Sequence, residues 1–283
     1  MIDFDAAKTF IEREARLLER HRFAYGFEDA PKEPVLQTLR AYQNADGGFG
    51  HALEPDLRDP SSQPTAVMTA IDVLRELGVG DDPMIGDACG FLASIALDDG
   101  GVPFALPTTA PCAPWYQPSE ESSLTQTAGN AAALHALGVS QAWLDGATEL
   151  CWRRIAALDL AEGGPGYDVL FSIAFLDTVP DEARALAALD ALGPNLDNVI
   201  PPEPQPGAEV HTPLDASPRP GARSRRLFDQ TTIDKHLDAL EQAQQDDGGW
   251  TFPWPNWNPA GGHEWRGIMT LNALQVLRAN GRL

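Results

Sequence analysis

The sequence is poor in lysine and in cysteine, and it has no long apolar run. Its 283 residues hold three lysines (Lys8, Lys32 and Lys235) and three cysteines (Cys89, Cys112 and Cys151). Phosphate recognition runs on clustered Lys and Arg. With lysine so scarce and a net charge of −21, nucleic acid is not an expected partner. The one basic cluster, residues 219–226, sits in a Pro-rich stretch rather than on a predicted helix. The cysteines are odd in number, widely spaced and free of any C-x-x-C pair, so they give neither a disulfide framework nor a strong zinc signature. No run of about 18 apolar residues is present to span a membrane. The first 24 residues carry ten charged side chains between Asp3 and Arg22, which leaves no room for an apolar signal core. A cytoplasmic protein is expected. Nothing in the residues specifies its oligomeric state.

What is present is repetition. Gln43-Asn-Ala-Asp-Gly-Gly-Phe49 recurs as Gln244-Gln-Asp-Asp-Gly-Gly-Trp250, the pattern Q-x-x-D-G-G-aromatic. Each copy feeds a polar, Pro-containing loop and then a helix of matching sequence, Ala70–Gly78 against Ala273–Gly281. The interval from the aromatic residue to that Ala is 21 positions in one copy and 23 in the other. Weaker copies begin at Asp98-Asp-Gly-Gly-Val102 and Glu162-Gly-Gly-Pro-Gly-Tyr167. Ile71, Leu74 and Leu77, like Leu274 and Leu277, fall on one helical stripe. Gly78, Gly138 and Gly281 suit the left-handed position that ends a helix. Such a hairpin cannot bury its apolar face alone, so neighbouring hairpins must stack.

The pattern predicts helices over 3–23, 33–43, 64–77, 83–97, 122–137, 141–158, 169–178, 181–192, 231–244 and 262–279, with almost no strand. Residues 193–222 are dense in proline and read as a long surface loop, partly disordered, inserted within a single domain spanning 1–283.

The repeated Q-x-x-D-G-G-[FW] elements resemble the Q–W repeats of squalene and oxidosqualene cyclases and the Gly-Gly-Phe repeats of protein prenyltransferase β-subunits. The resemblance is specific at 43–78 and 244–281. It implies an all-α fold, an α/α toroid of stacked hairpins whose inner helices line a cavity. The same architecture also hosts pectate lyases and thioester-containing complement domains. The D-x-D-D motif by which class II terpene cyclases protonate substrate is missing, and the length suits one barrel. Asp87-Ala-Cys89 has the spacing of prenyltransferase zinc ligands, with His263 near the last inner helix, but it falls inside a predicted outer helix. No zinc set is carried over.

Two segments could carry chemistry. In 51–59, Glu54, Asp56 and Asp59 place three carboxylates within six residues, beside His51 and Arg58. Clustered carboxylates raise one another's pKa, so that one can act as a general acid, and they could equally bind Mg²⁺. The bland alternative is a capped, salt-bridged loop. In 250–266, Trp250, Phe252, Trp254, Trp257 and Trp265 form an aromatic wall able to shelter a cation or hold an apolar or sugar-like ligand. There His263 with Glu264 offers a base and its partner, and Arg266 offers an anion contact. The alternative is that these rings plug the barrel end. Trp115 and Tyr116 could join the same aromatic mouth. Tyr167 and Asp168 open a further inner helix.

Three functions remain open on these residues. The first is an isoprenoid cyclase- or transferase-like enzyme, with the acidic loop as proton donor or metal site and the aromatic loop stabilising a cation. The second is a non-catalytic ligand-binding or scaffold toroid. The third is a carbohydrate-active lyase or hydrolase.

Overall fold

A computed structural model describes residues 2–283, and no strand occurs among them. The helices are α1 (Phe4–Glu14), α2 (Leu17–Phe27), α3 (Glu33–Arg40), α4 (Pro64–Glu76), α5 (Pro83–Ser94), α6 (Leu124–Ala136), α7 (Ala142–Ile155), α8 (Gly166–Thr178), α9 (Glu182–Leu192), α10 (Pro213–Ala216), α11 (Gln230–Gln242) and α12 (Pro259–Ala279). The chain divides into a central unit, residues 40–199, and a terminal unit, residues 1–39 with 200–283. Among the described residues no helix is long and apolar enough to cross a membrane.

The repeat turn explains itself atom by atom. Gln43 Nε2 donates to the Gly47 carbonyl, as Gln244 Nε2 does to that of Gly248. Asp46, Asp99 and Asp247 each accept the backbone N–H two residues on, at Gly48, Gly101 and Gly249. The first glycine of each pair has positive φ, 86° at Gly47, 91° at Gly100 and 89° at Gly248. It also lies against backbone. A Cβ at Gly47 would meet the Asp87 carbonyl at 2.5 Å, one at Gly100 would meet that of Gly146 at 2.7 Å, and one at Gly248 would strike that of Ala6. Gly-Gly is thus fixed twice, by conformation and by close approach.

In the central unit α4 packs on α6 and α6 on α8, forming one layer, while α5, α7 and α9 flank it. Every α6 residue from Leu124 to Leu134 is buried, although the helix is rich in Ala, Gly and Thr. Small residues are what let its neighbours close in. A Cβ at Gly129 would collide with Met68 Sδ and the Phe171 ring.

In the terminal unit α1 packs on α12 and α2. The Asp3 backbone exchanges two hydrogen bonds with the Gln244 side chain, at 2.7 and 2.8 Å. The last repeat turn therefore rests on the first helix. Ile11, Phe23, Ile233, Leu237, Trp250, Leu271, Leu274 and Leu277 form the core.

Two expectations change. The helix predicted over 3–23 is broken at Ala15, whose backbone is extended (φ −76°, ψ 156°). Arg20 reaches back to the carbonyls of Ala15 and Arg13, and Gly267 of α12 approaches so closely that a Cβ there would sit 2.9 Å from Ala15. The Pro-rich stretch is also ordered, not loose. It contains a 3₁₀ turn over Gly193–Asn198 and α10, which opens on a capping box between Thr212 and Asp215. Leu196, Ile200, Leu214 and Ala216 are buried in it.

Candidate functional site

The acidic loop lies in the central unit. It enters through His51 and Ala52, both left-handed at φ 55° and 60°. It then runs beside the segment before Tyr116, with Ala113 N–H donating to the Asp56 carbonyl at 2.8 Å and Arg58 N–H to that of Pro111 at 3.3 Å. This pairing is the local cause of the site. It draws Glu54 (7% exposed), Asp56 (4%) and Asp59 (2%) out of water.

The three carboxylates then part company. Asp59 accepts from the Ser61 N–H (2.8 Å) and hydroxyl, from the Thr109 N–H (2.6 Å) and hydroxyl (3.2 Å), and from the Ala110 N–H (2.7 Å). Burial opposes its charge, but the bonds from Ser61, Ala110 and Thr109 outweigh it and hold the carboxyl far below the ordinary aspartate value. Such a group clasps two loops and holds no proton to give. Glu54 and Asp56 face Tyr116 instead. That half-buried phenol is pushed well above its ordinary pKa by burial, then by the charges of Glu54 and Asp56, while the Thr65 hydroxyl works the other way. The cluster is acidic, and both of its carboxylates are buried.

Thr65, hydrogen-bonded to Tyr116, links this cluster to residues not singled out in the sequence. Thr65 opens α4, and its oxygen accepts from Gln126 Nε2 of α6 at 2.7 Å. Asn130, one turn on, donates to the carbonyls of Pro64 (3.3 Å) and Gln126 (2.9 Å). Thr65, Gln126 and Asn130 are 5%, 1% and 0% exposed. Their signal in the sequence was a run of amides and hydroxyls on a helix otherwise small and apolar. The rim is aromatic. Phe104 stacks on Tyr116 with centroids 5.4 Å apart, and Trp115 (40%) and Tyr167 (54%) are exposed. Tyr167 adds to the rise in the Tyr116 pKa. Asp168 accepts the Thr125 N–H (3.0 Å) and hydroxyl (2.6 Å), tying α8 to the start of α6.

Other candidates have different duties. His51 is exposed and bonded to Asn44 at 2.9 Å within the repeat turn, so it does not face the carboxylates as a substrate ligand. Arg58 is half-buried in the acidic loop. Asp87 is exposed while Cys89 is buried, so the D-x-C pair points two ways on α5. Among the described residues no group of three or more His, Cys, Asp or Glu side chains could hold a metal ion.

In the terminal unit Trp250 is 2% exposed, its Nε1 donates to the Leu240 carbonyl at 2.8 Å, and its N–H donates to Thr270. It is a core residue, not a ligand platform. Arg266 grips Asp247 with two bonds of 2.8 Å and lies over the Phe10 ring, so it braces the turn rather than standing ready for an anion. The turn borders a polar cleft of about 590 Å³ lined by Gln244, Gln245, Asp246, Asp247, Thr251 and Arg266. Phe252, Trp254 and Trp265 form an aromatic group, with Trp254 edge-on to Trp265 at 5.0 Å. Trp257 and Glu264 are half-buried and His263 is exposed at the first turns of α12.

No family model and no curated protein matches the sequence. Solved structures do match in fold. A protein from Actinoplanes shares 16% identity over 98% of both chains with a TM-score of 0.58. Type II terpene cyclase MstE from Scytonema, without ligand, shares 11% identity over 99% of this chain and 98% of its own, with a TM-score of 0.56. A variant of that cyclase in complex with geranylgeranyl dihydroxybenzoate, its substrate, shares 12% identity over 99% and 97%, with a TM-score of 0.53. The chain has an all-α, α/α-toroid fold similar to that of a type II terpene cyclase.

Proposed function

We propose that this protein is an isoprenoid cyclase-like enzyme whose acid is the Asp56 carboxyl, with Glu54 beside it. The observation that carries this reading is the pair of buried carboxylates Glu54 and Asp56 beside half-buried Tyr116, since burial and a neighbouring carboxylate both favour the protonated form of a carboxyl. Its likeness in fold to a cyclase that binds a prenylated substrate points the same way. Asp59 is reserved for the loop clasp. The Asp56 O–H breaks as its proton adds to a terminal alkene carbon, and the next alkene's π electrons close the ring. The final cation loses a proton and the carboxyl is restored, so the product is an isomer of the substrate. Phe104, Trp115, Tyr116 and Tyr167 offer their ring faces to the cation.

The test is incubation of geranylgeraniol and of geranylgeranyl dihydroxybenzoate in D₂O, followed by mass spectrometry. The expected product is an isomer carrying one added deuterium. Asp56→Asn should lose roughly 100-fold or more of the rate, the scale of removing a general acid. Unchanged substrates with the wild type, or full activity in Asp56→Asn, would overturn the reading. The first result would leave a non-catalytic binding toroid as the better account.

A further inference from the structure

Two side-chain oxygens on α6 lie in the interior without a partner. They are Gln126 Oε1 and Asn130 Oδ1, on residues 1% and 0% exposed. The orientation of the Asn130 amide is fixed by its nitrogen, whereas Gln126 faces a Thr65 hydroxyl that can give or take a bond. Asn130 Nδ2 serves two carbonyls, those of Pro64 and Gln126, and neither could pair with an oxygen. Gln126 Nε2 serves the Thr65 oxygen, which leaves the Thr65 hydroxyl proton to turn toward other groups, Tyr116 among them. In this arrangement both donors are used and both acceptors remain. Four residues apart on a helix, the two side chains share a face.

Buried polar atoms without partners are rare, because each forfeits its hydration for nothing. Two acceptors on one helical face, beside Thr65, ask for a donor from outside the chain. We infer that the Gln126–Asn130 pair receives the hydroxyl of a prenyl alcohol or of a like hydrogen-bond-donating head, so that the substrate is an isoprenoid bearing a free O–H. The sign of the site decides this. Carbonyl, ether, epoxide and diphosphate oxygens are acceptors and would face acceptors. This inference rests on the reading of the pocket as an isoprenoid site.

The test compares binding of geranylgeraniol and of its methyl ether to the intact protein by titration calorimetry. The two probes share the chain and differ in the donor. The alcohol is expected to bind about ten-fold more tightly, the scale of one hydrogen bond to an otherwise unpaired buried group. That preference should fall to about one in Asn130→Leu and in Gln126→Met, provided each variant folds by circular dichroism. Equal binding of alcohol and ether by the wild type overturns the head-group assignment while leaving an apolar ligand in place. Failure of both probes to bind removes the isoprenoid reading itself, and this inference with it. The wild-type comparison stands even if neither variant folds.

Discussion

Replacing Asp59 separates a structural carboxylate from a catalytic one. Its two oxygens accept from three backbone N–H groups and two hydroxyls, drawn from Ser61, Thr109 and Ala110, while the residue is 2% exposed. Asp59→Ala strips those amides of their acceptor. At about 1–3 kcal/mol for each buried group left unpaired, and with water reaching part of the loop, the loss should be roughly 3–5 kcal/mol. Asp59→Asn keeps one acceptor oxygen and should cost about 2 kcal/mol. Urea titration followed by circular dichroism measures both. Limited proteolysis should show early cleavage in residues 104–117, which the clasp holds. Because the folded carboxyl lies below the ordinary aspartate value of 3.8, its stabilisation is complete above that pH and fades as pH falls further. The difference between wild type and Asp59→Asn should therefore shrink in acid. A loss under about 0.5 kcal/mol would refute the clasp, since surface changes fall in that range. So would intact stability accompanied by abolished turnover.

Two further outcomes follow from the packing. Gly47→Ala should destabilise by about 2–4 kcal/mol, combining a left-handed alanine with a clash against the Asp87 carbonyl, and Gly78→Ala by only about 1 kcal/mol, because nothing lies within 4 Å of a Cβ there. Thermal melts compare the two, and equal shifts would contradict the close approach. Burial raises the Cys89 thiol to about 11 and that of Cys151 to about 12, whereas Cys112 is only half-buried. A chromogenic disulfide reagent at pH 8 should label Cys112 alone in the native protein and all three thiols in urea, with fast native labelling of Cys89 as the contrary result.

The repeats were legible because their chemistry is local. The Gln and Asp of Q-x-x-D-G-G bond within a few residues of themselves, and the first glycine has positive φ wherever the motif occurs in full. The break at Ala15 was not legible, since no proline or glycine marks it and its cause, Gly267, lies 252 positions away. The Pro-rich stretch looked loose because its few apolar residues are scattered, yet Leu196, Ile200 and Leu214 each find cover. At the site, the acidic loop and Tyr116 stood out by residue type. Their unequal roles did not, because only tertiary neighbours such as Thr109 and Ala110 tell Asp59 from Asp56. Gln126 and Asn130 escaped notice since an amide on an Ala-rich helix looks like a surface residue until both flanks of α6 are seen to be covered.

Photolabelling with a geranylgeranyl chain bearing a terminal diazirine tests the central claim most directly. The account predicts crosslinks to peptides containing residues 54–56, 104–116 and 124–130, suppressed by excess geranylgeraniol. Labelling spread over exposed helix faces, undiminished by the competitor, would contradict it.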